Sequence, residues 1–222
     1  PTPGYTGTDT FTYQASDGIT TSATTTVTVT VSAESPTATS DSYDVLHDTT
    51  LNVNAVNGVL DNDSDPNGDP LTAALVSDVS NGTLTLAPDG SFTYTPTPGY
   101  TGTDTFTYQA SDGTYTSQSV SVAIAVTNQA PTTLADSYTV GLDTTLSATA
   151  EDGVLDNDGD PDGDALTASL VNDVSNGTLS LAPDGSFTYT PTPGYTGPDS
   201  FTYAASDGIV TSAATTVALT VE

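Results

Sequence analysis

Apolar and polar residues alternate along this chain in short runs separated by turn residues. Val120, Val122, Ile124 and Val126 fall on every second position, with Ser121, Ala123 and Ala125 between them. A period of two places one set on a single face of a strand. The same stripe occurs at Val27, Val29 and Val31, and at Val217, Leu219 and Val221. Phe92 and Tyr94 share a face of one run; Phe106, Tyr108 and Ala110 share a face of the next. Such runs, rich in Val, Thr, Tyr and Phe, predict strands near 41–46, 49–54, 71–77, 83–87, 91–95, 104–110 and 115–127. No segment carries a helical period. Asp-Gly pairs at Asp17-Gly18, Asp89-Gly90, Asp112-Gly113 and Asp207-Gly208 predict two-residue hairpin turns with positive φ. About seven short strands with frequent turns predict an all-β, immunoglobulin-like Greek-key β-sandwich.

The pattern recurs. Pro1-Thr2-Pro3-Gly4-Tyr5 returns at 96–100 and 191–195, an offset of 95 each time (96 − 1 and 191 − 96). Residues 81–108 match 176–203 at all but three positions, Thr85/Ser180, Thr103/Pro198 and Thr105/Ser200. The chain therefore divides into the last two or three strands of one repeat (1–33), a full repeat (34–128) and a second full repeat (129–222). Ala33-Glu34-Ser35-Pro36 and Asn128-Gln129-Ala130-Pro131 form the junctions, where a Pro after a β run suits a short, stiff linker. A unit of about 95 residues can bury its own core, so the units read as beads on a string rather than a solenoid.

Charge narrows the partners. There is no Lys and no Arg against 28 Asp plus Glu, a formal charge of -28 at pH 7. Nucleic acid and anionic membrane surfaces need cationic side chains and are therefore poor partners. Self-repulsion on this scale opposes compaction, and the neutralising cation must come from outside the chain. With no Cys there is no disulfide or thiolate chemistry. With no Lys there is no Lys–Asn or Lys–Asp isopeptide crosslink. No run of about 18 apolar residues spans a membrane. No signal peptide is visible, and a targeting segment is expected outside residues that begin within a repeat.

The most informative segment is Leu60-Asp61-Asn62-Asp63-Ser64-Asp65-Pro66-Asn67-Gly68-Asp69, with its partner Leu155-Asp156-Asn157-Asp158-Gly159-Asp160-Pro161-Asp162-Gly163-Asp164. Carboxylates at alternate positions converge on one ion when such a loop curls, and Ca²⁺ takes six to eight oxygen ligands. Mg²⁺ demands stricter octahedral geometry, and transition metals prefer His or Cys. Candidate ligands are Asp61, Asp63, Asp65, Asn67 and Asp69, with Asp156, Asp158, Asp160, Asp162 and Asp164. Asp41 and Asp136, just after each linker Pro, are further candidates placed to bridge repeats through an ion. The spacing starts like an EF-hand loop and then departs, with Pro66 or Pro161 and no distal Glu. A solvated acidic turn is the other reading, since Asp, Asn, Gly and Pro are all turn formers. The Ser-Asp-Gly aspartates Asp17, Asp112 and Asp207 read as turn residues.

The motif order Asp-Ser-Tyr, Gly-Val-Leu-Asp-Asn-Asp-x-Asp-Pro-x-Gly-Asp, Asn-Gly-Thr-Leu, Pro-Asp-Gly-Ser-Phe-Thr-Tyr-Thr-Pro, Gly-Tyr-Thr-Gly and Ser-Asp-Gly resembles bacterial cadherin-like and Ig-like tandem repeats, over the whole chain. Similar repeats occur in very large secreted adhesins and other cell-surface proteins. The resemblance implies a β-sandwich, an extracellular setting and calcium-dependent stiffness. The linkers depart from the animal cadherin pattern: only Glu34 or Asn128 stands where an Asp-x-Asn-Asp-Asn junction would lie.

The function expected is a structural spacer or stalk of calcium-binding repeats, partnered by neighbouring repeats of the same chain. A second reading is a filament subunit, in which identical chains complete the partial repeat 1–33 by strand complementation. A third is a glycan-binding adhesin module using Tyr5, Tyr100 and Tyr195, which otherwise plug the sandwich end. An enzyme is not expected. His47 is the only His, Leu142 replaces it in the next repeat, and it reads as a surface residue. The sequons at Asn62, Asn81 and Asn176 read as turns.

Overall fold

A computed structural model describes residues 2 and 5–222. It is nearly all β, with two short 3-10 turns at Ala55–Asn57 and Ala150–Asp152. The chain forms two compact units, Pro1–Val126 and Thr127–Glu222. Among the described residues no helix is long and apolar enough to cross a membrane.

The first unit opens with β1 (Gly7–Tyr13) and β2 (Thr25–Val31), an antiparallel pair. It continues with β3 (Asp41–Leu46), β4 (Leu51–Val53), β5 (Thr72–Ser77), β6 (Gly82–Leu86), β7 (Phe92–Pro96), β8 (Gly102–Ser111) and β9 (Val120–Thr127). These make a four-stranded sheet, β3-β9-β8-β5, and a three-stranded sheet, β4-β7-β6. The second unit repeats the plan with β10 (Asp136–Val140), β11 (Leu146–Ala148), β12 (Thr167–Asn172), β13 (Gly177–Leu181), β14 (Phe187–Pro191), β15 (Gly197–Ser206) and β16 (Thr215–Val221). Its sheets are β10-β16-β15-β12 and β11-β14-β13, with β10 parallel to β16.

The alternation read from the sequence sets the core. Phe92 and Tyr94 meet Phe106, Tyr108, Val122, Ile124 and Val126 between the two sheets of the first full sandwich. Phe92 stands edge-on to both Tyr43 and Phe106, with ring centroids 4.9 Å and 5.6 Å apart. Tyr138, Phe187 and Phe201 repeat this stack in the second unit. Tyr100 packs against this core, and its hydroxyl donates to Thr103 O at 3.0 Å.

One carboxylate belongs to the core rather than to the acidic loop. Asp104, on β8, is 3 % exposed and accepts from the N–H groups of Ser80, Asn81 and Thr105 and from the Tyr94 hydroxyl. Burial opposes its charge, but these hydrogen bonds outweigh burial and hold the carboxyl below its ordinary value. Asp199 repeats the arrangement with Ser175, Asn176, Ser200 and Tyr189. A close backbone approach supports the same end of each acidic loop. Val59 N donates to Gly90 O at 3.0 Å, and a Cβ on Gly58 would lie 2.3 Å from that oxygen.

Several sequence expectations are corrected. The run 115–127 yields a strand only from Val120, because Ser117 bonds back to Ala110 through both its N–H and its hydroxyl and holds 115–119 as a loop. The Asp89-Gly90 hairpin is longer than two residues: Ala87 N donates to Ser91 O, with Asp89 Oδ1 accepting from Ser91. His47 is 3 % exposed rather than a surface residue. It continues the inward parity of Tyr43 and Val45, and its Nδ1 lies 3.3 Å from Asp48 Oδ2.

Candidate metal centre

The acidic loop is pinned to the segment ahead of β3. Thr37 and Ser64 exchange backbone hydrogen bonds of 2.8 Å and 3.1 Å, and Thr132 and Gly159 do the same in the second unit. With that register fixed, Asp63, Asp65 and Asp69 turn partly inward while Asp61 stays exposed, and the inward acids divide between two sets.

The first set surrounds the Tyr108 hydroxyl. That hydroxyl donates to Val59 O at 2.5 Å. Asp63 Oδ2 lies 3.0 Å away, Asp63 Oδ1 3.1 Å, Thr39 O 3.3 Å and Asp41 Oδ2 3.4 Å. One proton serves five oxygens, so this is a pocket of oxygen lone pairs with almost no donors. Thr39 N donates to Asp63 Oδ1, and Asn62 Nδ2 to Asp41 Oδ1. Burial, then the charge of Asp63, pushes the Asp41 carboxyl up to about 6, against hydrogen bonds from Tyr108 and Asn62. Burial likewise raises Asp63.

The second unit rebuilds this set. Tyr203 donates at 2.6 Å to Val154 O and lies 2.7 Å from Asp158 Oδ2. Leu134 N donates to Asp158, and Asn157 Nδ2 to Asp136 Oδ1. Asp136 is pushed up to about 6 by burial and by the charge of Asp158.

The second set lies against the linker. Asp65 Oδ1 accepts from Asn67 N at 2.8 Å and Asp69 N at 3.1 Å. Asn67 accepts from Glu34 N at 2.8 Å and donates to Ser32 O at 3.3 Å. Asn67, Asp69 and Asp112 line an open cavity of about 440 Å³ together with Ser32 and Ala33. In the second unit Asp162 accepts from Gln129 N at 2.6 Å and from Gln129 Nε2 at 3.1 Å. Asp160, Asp162 and Asp164 each offer a carboxylate oxygen within 4.8 Å of the others. Asn128 Nδ2 donates to Asp207 Oδ2 at 2.9 Å.

A hard divalent cation fits these donors. Carboxylates and carbonyls dominate both sets, and the chain has no Lys or Arg to serve them. Oδ2 of Asp65, Asp112, Asp136 and Asp160 is buried with no hydrogen-bond partner among the described residues. A buried anionic oxygen without a donor is costly, and a bound cation removes that cost.

The candidates read from the sequence therefore do not form a single ring. Asp41 and Asp63, like Asp136 and Asp158, belong to one set; Asp65, Asn67 and Asp69, like Asp160, Asp162 and Asp164, belong to the other. Asp61 and Asp156 are exposed at the edge of the first set. Two further groups lie at these sets, Asp112, which reads from the sequence as a turn residue, and the Tyr108 and Tyr203 hydroxyls. Asp112 makes its turn with Oδ1, which accepts from Thr114 and Tyr115, yet the residue also lines the linker cavity. Tyr108 and Tyr203 carry a signal that went unused: a core position that is Tyr rather than Phe in each copy calls for a hydroxyl partner.

Comparison with known proteins adds the following. The model of a family described as bacterial cadherin-like domain matches residues 34–127 and 128–222. No curated protein sequence matches the chain. Among solved structures, human CDH23 EC21-23 aligns at 16 % identity and TM-score 0.41, over 96 % of this chain and 74 % of that one. Human Protocadherin-24 EC1-2 aligns at 14 % identity and TM-score 0.39, over 86 % and 99 %. An endo-fucoidan hydrolase, MfFcnA4 from glycoside hydrolase family 107, aligns at 20 % identity and TM-score 0.31, over 98 % and 34 %. The chain thus spans about a third of the length of that hydrolase.

Proposed function

Because the chain belongs to the bacterial cadherin-like domain family, we propose that it is a non-enzymatic extracellular stalk of tandem β-sandwich repeats, stiffened by calcium held in its acidic loops. The observation that carries this reading is the set of buried carboxylate oxygens without donors at Asp65, Asp112, Asp136 and Asp160, in a chain with no basic side chain but one His. In the first unit Asp65, Asn67, Asp69 and Asp112 would hold one ion, and Asp41 and Asp63 another. In the second, Asp160, Asp162 and Asp164, and Asp136 with Asp158, take those roles. Asp61 and Asp156 supply field from the rim. The contacts of Asn67 with Ser32 and Glu34, and of Asp162 with Gln129, tie ion binding to the stiffness of each linker.

An ion that binds only the folded state adds RT ln(1 + [L]/Kd), about 2.7 kcal/mol per site at a hundred times Kd. Calorimetric melting with calcium, with magnesium and with chelator tests the reading. The melting temperature should fall in chelator and recover with millimolar calcium well beyond the recovery with magnesium at equal ionic strength. Equal melting in all three conditions would overturn it.

A further inference from the structure

Four Asn-Gly pairs occur in the chain, beginning at Asn57, Asn67, Asn81 and Asn176. Glycine lacks the Cβ that would hinder its backbone nitrogen from reaching the side-chain carbonyl of the Asn before it. That attack begins spontaneous deamidation. Three of the pairs are locked against it. Asn81 N donates to Asp104, Asn81 O accepts from Thr97 N and the Tyr94 hydroxyl, and a Cβ on Gly82 would lie 2.5 Å from the Tyr94 ring. Asp199, Thr192 and Tyr189 hold Asn176 in the same way. Asn57 O accepts from the Tyr43 hydroxyl, and Gly58 is wedged against Gly90 O.

Asn67 differs. It is exposed, and a Cβ built on Gly68 would meet no atom within 4 Å, so this glycine has room to turn. The bond that must open is Gly68 N to Asp65 O, 3.1 Å long, in an exposed turn. Glu34 N donates to Asn67 Oδ1 at 2.8 Å, where negative charge gathers as Cγ becomes tetrahedral. The second repeat shows that an acid fits here. Ninety-five residues on stands Asp162-Gly163, whose carboxylate accepts from Gln129 N as Asn67 accepts from Glu34 N.

We propose that Asn67 is a site of self-modification, converting with age to an acid. Gly68 N loses its proton and bonds to Asn67 Cγ; the Cγ–Nδ2 bond breaks, and ammonia leaves carrying that proton. Water then opens the succinimide, at one carbonyl to give aspartate and at the other to give isoaspartate. No other reactant is needed and nothing is oxidised or reduced. Either product places a carboxylate in the linker set beside Glu34, where the second repeat has Gln129 beside Asp162. On the calcium reading, that added charge raises the demand of the set for a cation.

The test ages the full chain in mildly alkaline buffer and follows each Asn-Gly pair by peptide mass mapping. Chelator is present throughout, so the result stands apart from the calcium reading. A second sample is aged in urea. In urea the four pairs should convert at comparable rates. In the folded chain position 67 should convert roughly tenfold or more faster than 57, 81 and 176, equivalent to about 1.4 kcal/mol of extra opening cost at the locked pairs. Asn67→Gln should abolish the product at that position, and Asn67→Asp should reproduce the charge of the aged chain on ion exchange. Position 67 remaining intact in the folded chain while it converts in urea would overturn the proposal. So would conversion of 57, 81 or 176 at the pace of 67 in the folded chain.

Discussion

Asp41 Oδ2 and Asp63 Oδ2 share the Tyr108 hydroxyl, at 3.4 Å and 3.0 Å from it. The chain has no Lys or Arg to pair with either, and burial together with the charge of Asp63 raises the cost of ionising Asp41.

A pH dependence follows for the protein in chelator. Asp41 and Asp136 are raised to about 6 in the folded state, from an ordinary value near 3.8. The folded state therefore binds more protons than the unfolded one between those values, and its stability falls as pH rises through them. Lowering the pH from 7 to about 5 should raise the chelator-phase melting temperature. Saturating calcium should flatten or reverse that slope, because the ion stabilises the carboxylates. Melting curves at several pH values, with and without calcium, check both signs.

Asp160→Asn should remove about half of the calcium response of the second unit, the share of one of its two proposed sites, while leaving its chelator-phase stability equal or higher. The substitution keeps the shape and the Oδ1 contacts but discards a buried charge. The loss should amount to about 2.7 kcal/mol at a hundredfold excess of calcium over Kd, or about 10 °C or more in melting temperature. Calorimetry that separates the two units would show the first unit unchanged.

Much of the sandwich was legible in the alternation. Val122, Ile124 and Val126 sit on the buried parity, and so do Phe92, Tyr94, Phe106 and Tyr108. The candidate site was legible as a segment but not as a geometry. Parity along 61–69 does not reveal that Thr37 and Ser64 pair, the long-range contact beside which Asp63 reaches Tyr108 and Asn67 reaches the linker. Asp112 escaped because one oxygen does make the expected turn; the role of its other oxygen depends on which loop packs beside it. The burial of His47 was hidden by its position, one residue past the end of β3 where strand parity is usually lost.

Asp104 and Asp9 are the same motif residue in different surroundings, and substitution should separate them. Asp104→Ala strands the N–H groups of Ser80 and Asn81 and the Tyr94 hydroxyl, and should cost about 3 kcal/mol or more. Asp9→Ala removes one exposed local contact and should stay within about 0.5 kcal/mol. Because Asp104 is held below its ordinary value, its contribution is present above that value and lost as the pH falls through the folded one. Denaturant melts of the two variants, at pH 7 and near pH 3, give the comparison.

Gly58→Ala should destabilise the first unit by about 1–3 kcal/mol. The added methyl carbon would stand 2.3 Å from Gly90 O, so the backbone bond from Val59 to Gly90 must open to admit it. Calcium affinity should fall with it, since Val59 O anchors the Tyr108 hydroxyl. Denaturant titration alongside isothermal calcium titration checks the pair of effects.

Asn67 stands where the second loop has Asp162, although both receive the backbone N–H of the linker residue that follows Ala33 or Asn128. The two loops thus offer nearly the same cradle with one unit of negative charge between them. Under the calcium reading, dilution of the ion would empty 60–69 before 155–164. A string of such repeats would then soften joint by joint over a range of concentrations, as a graded gauge of its surroundings rather than a switch.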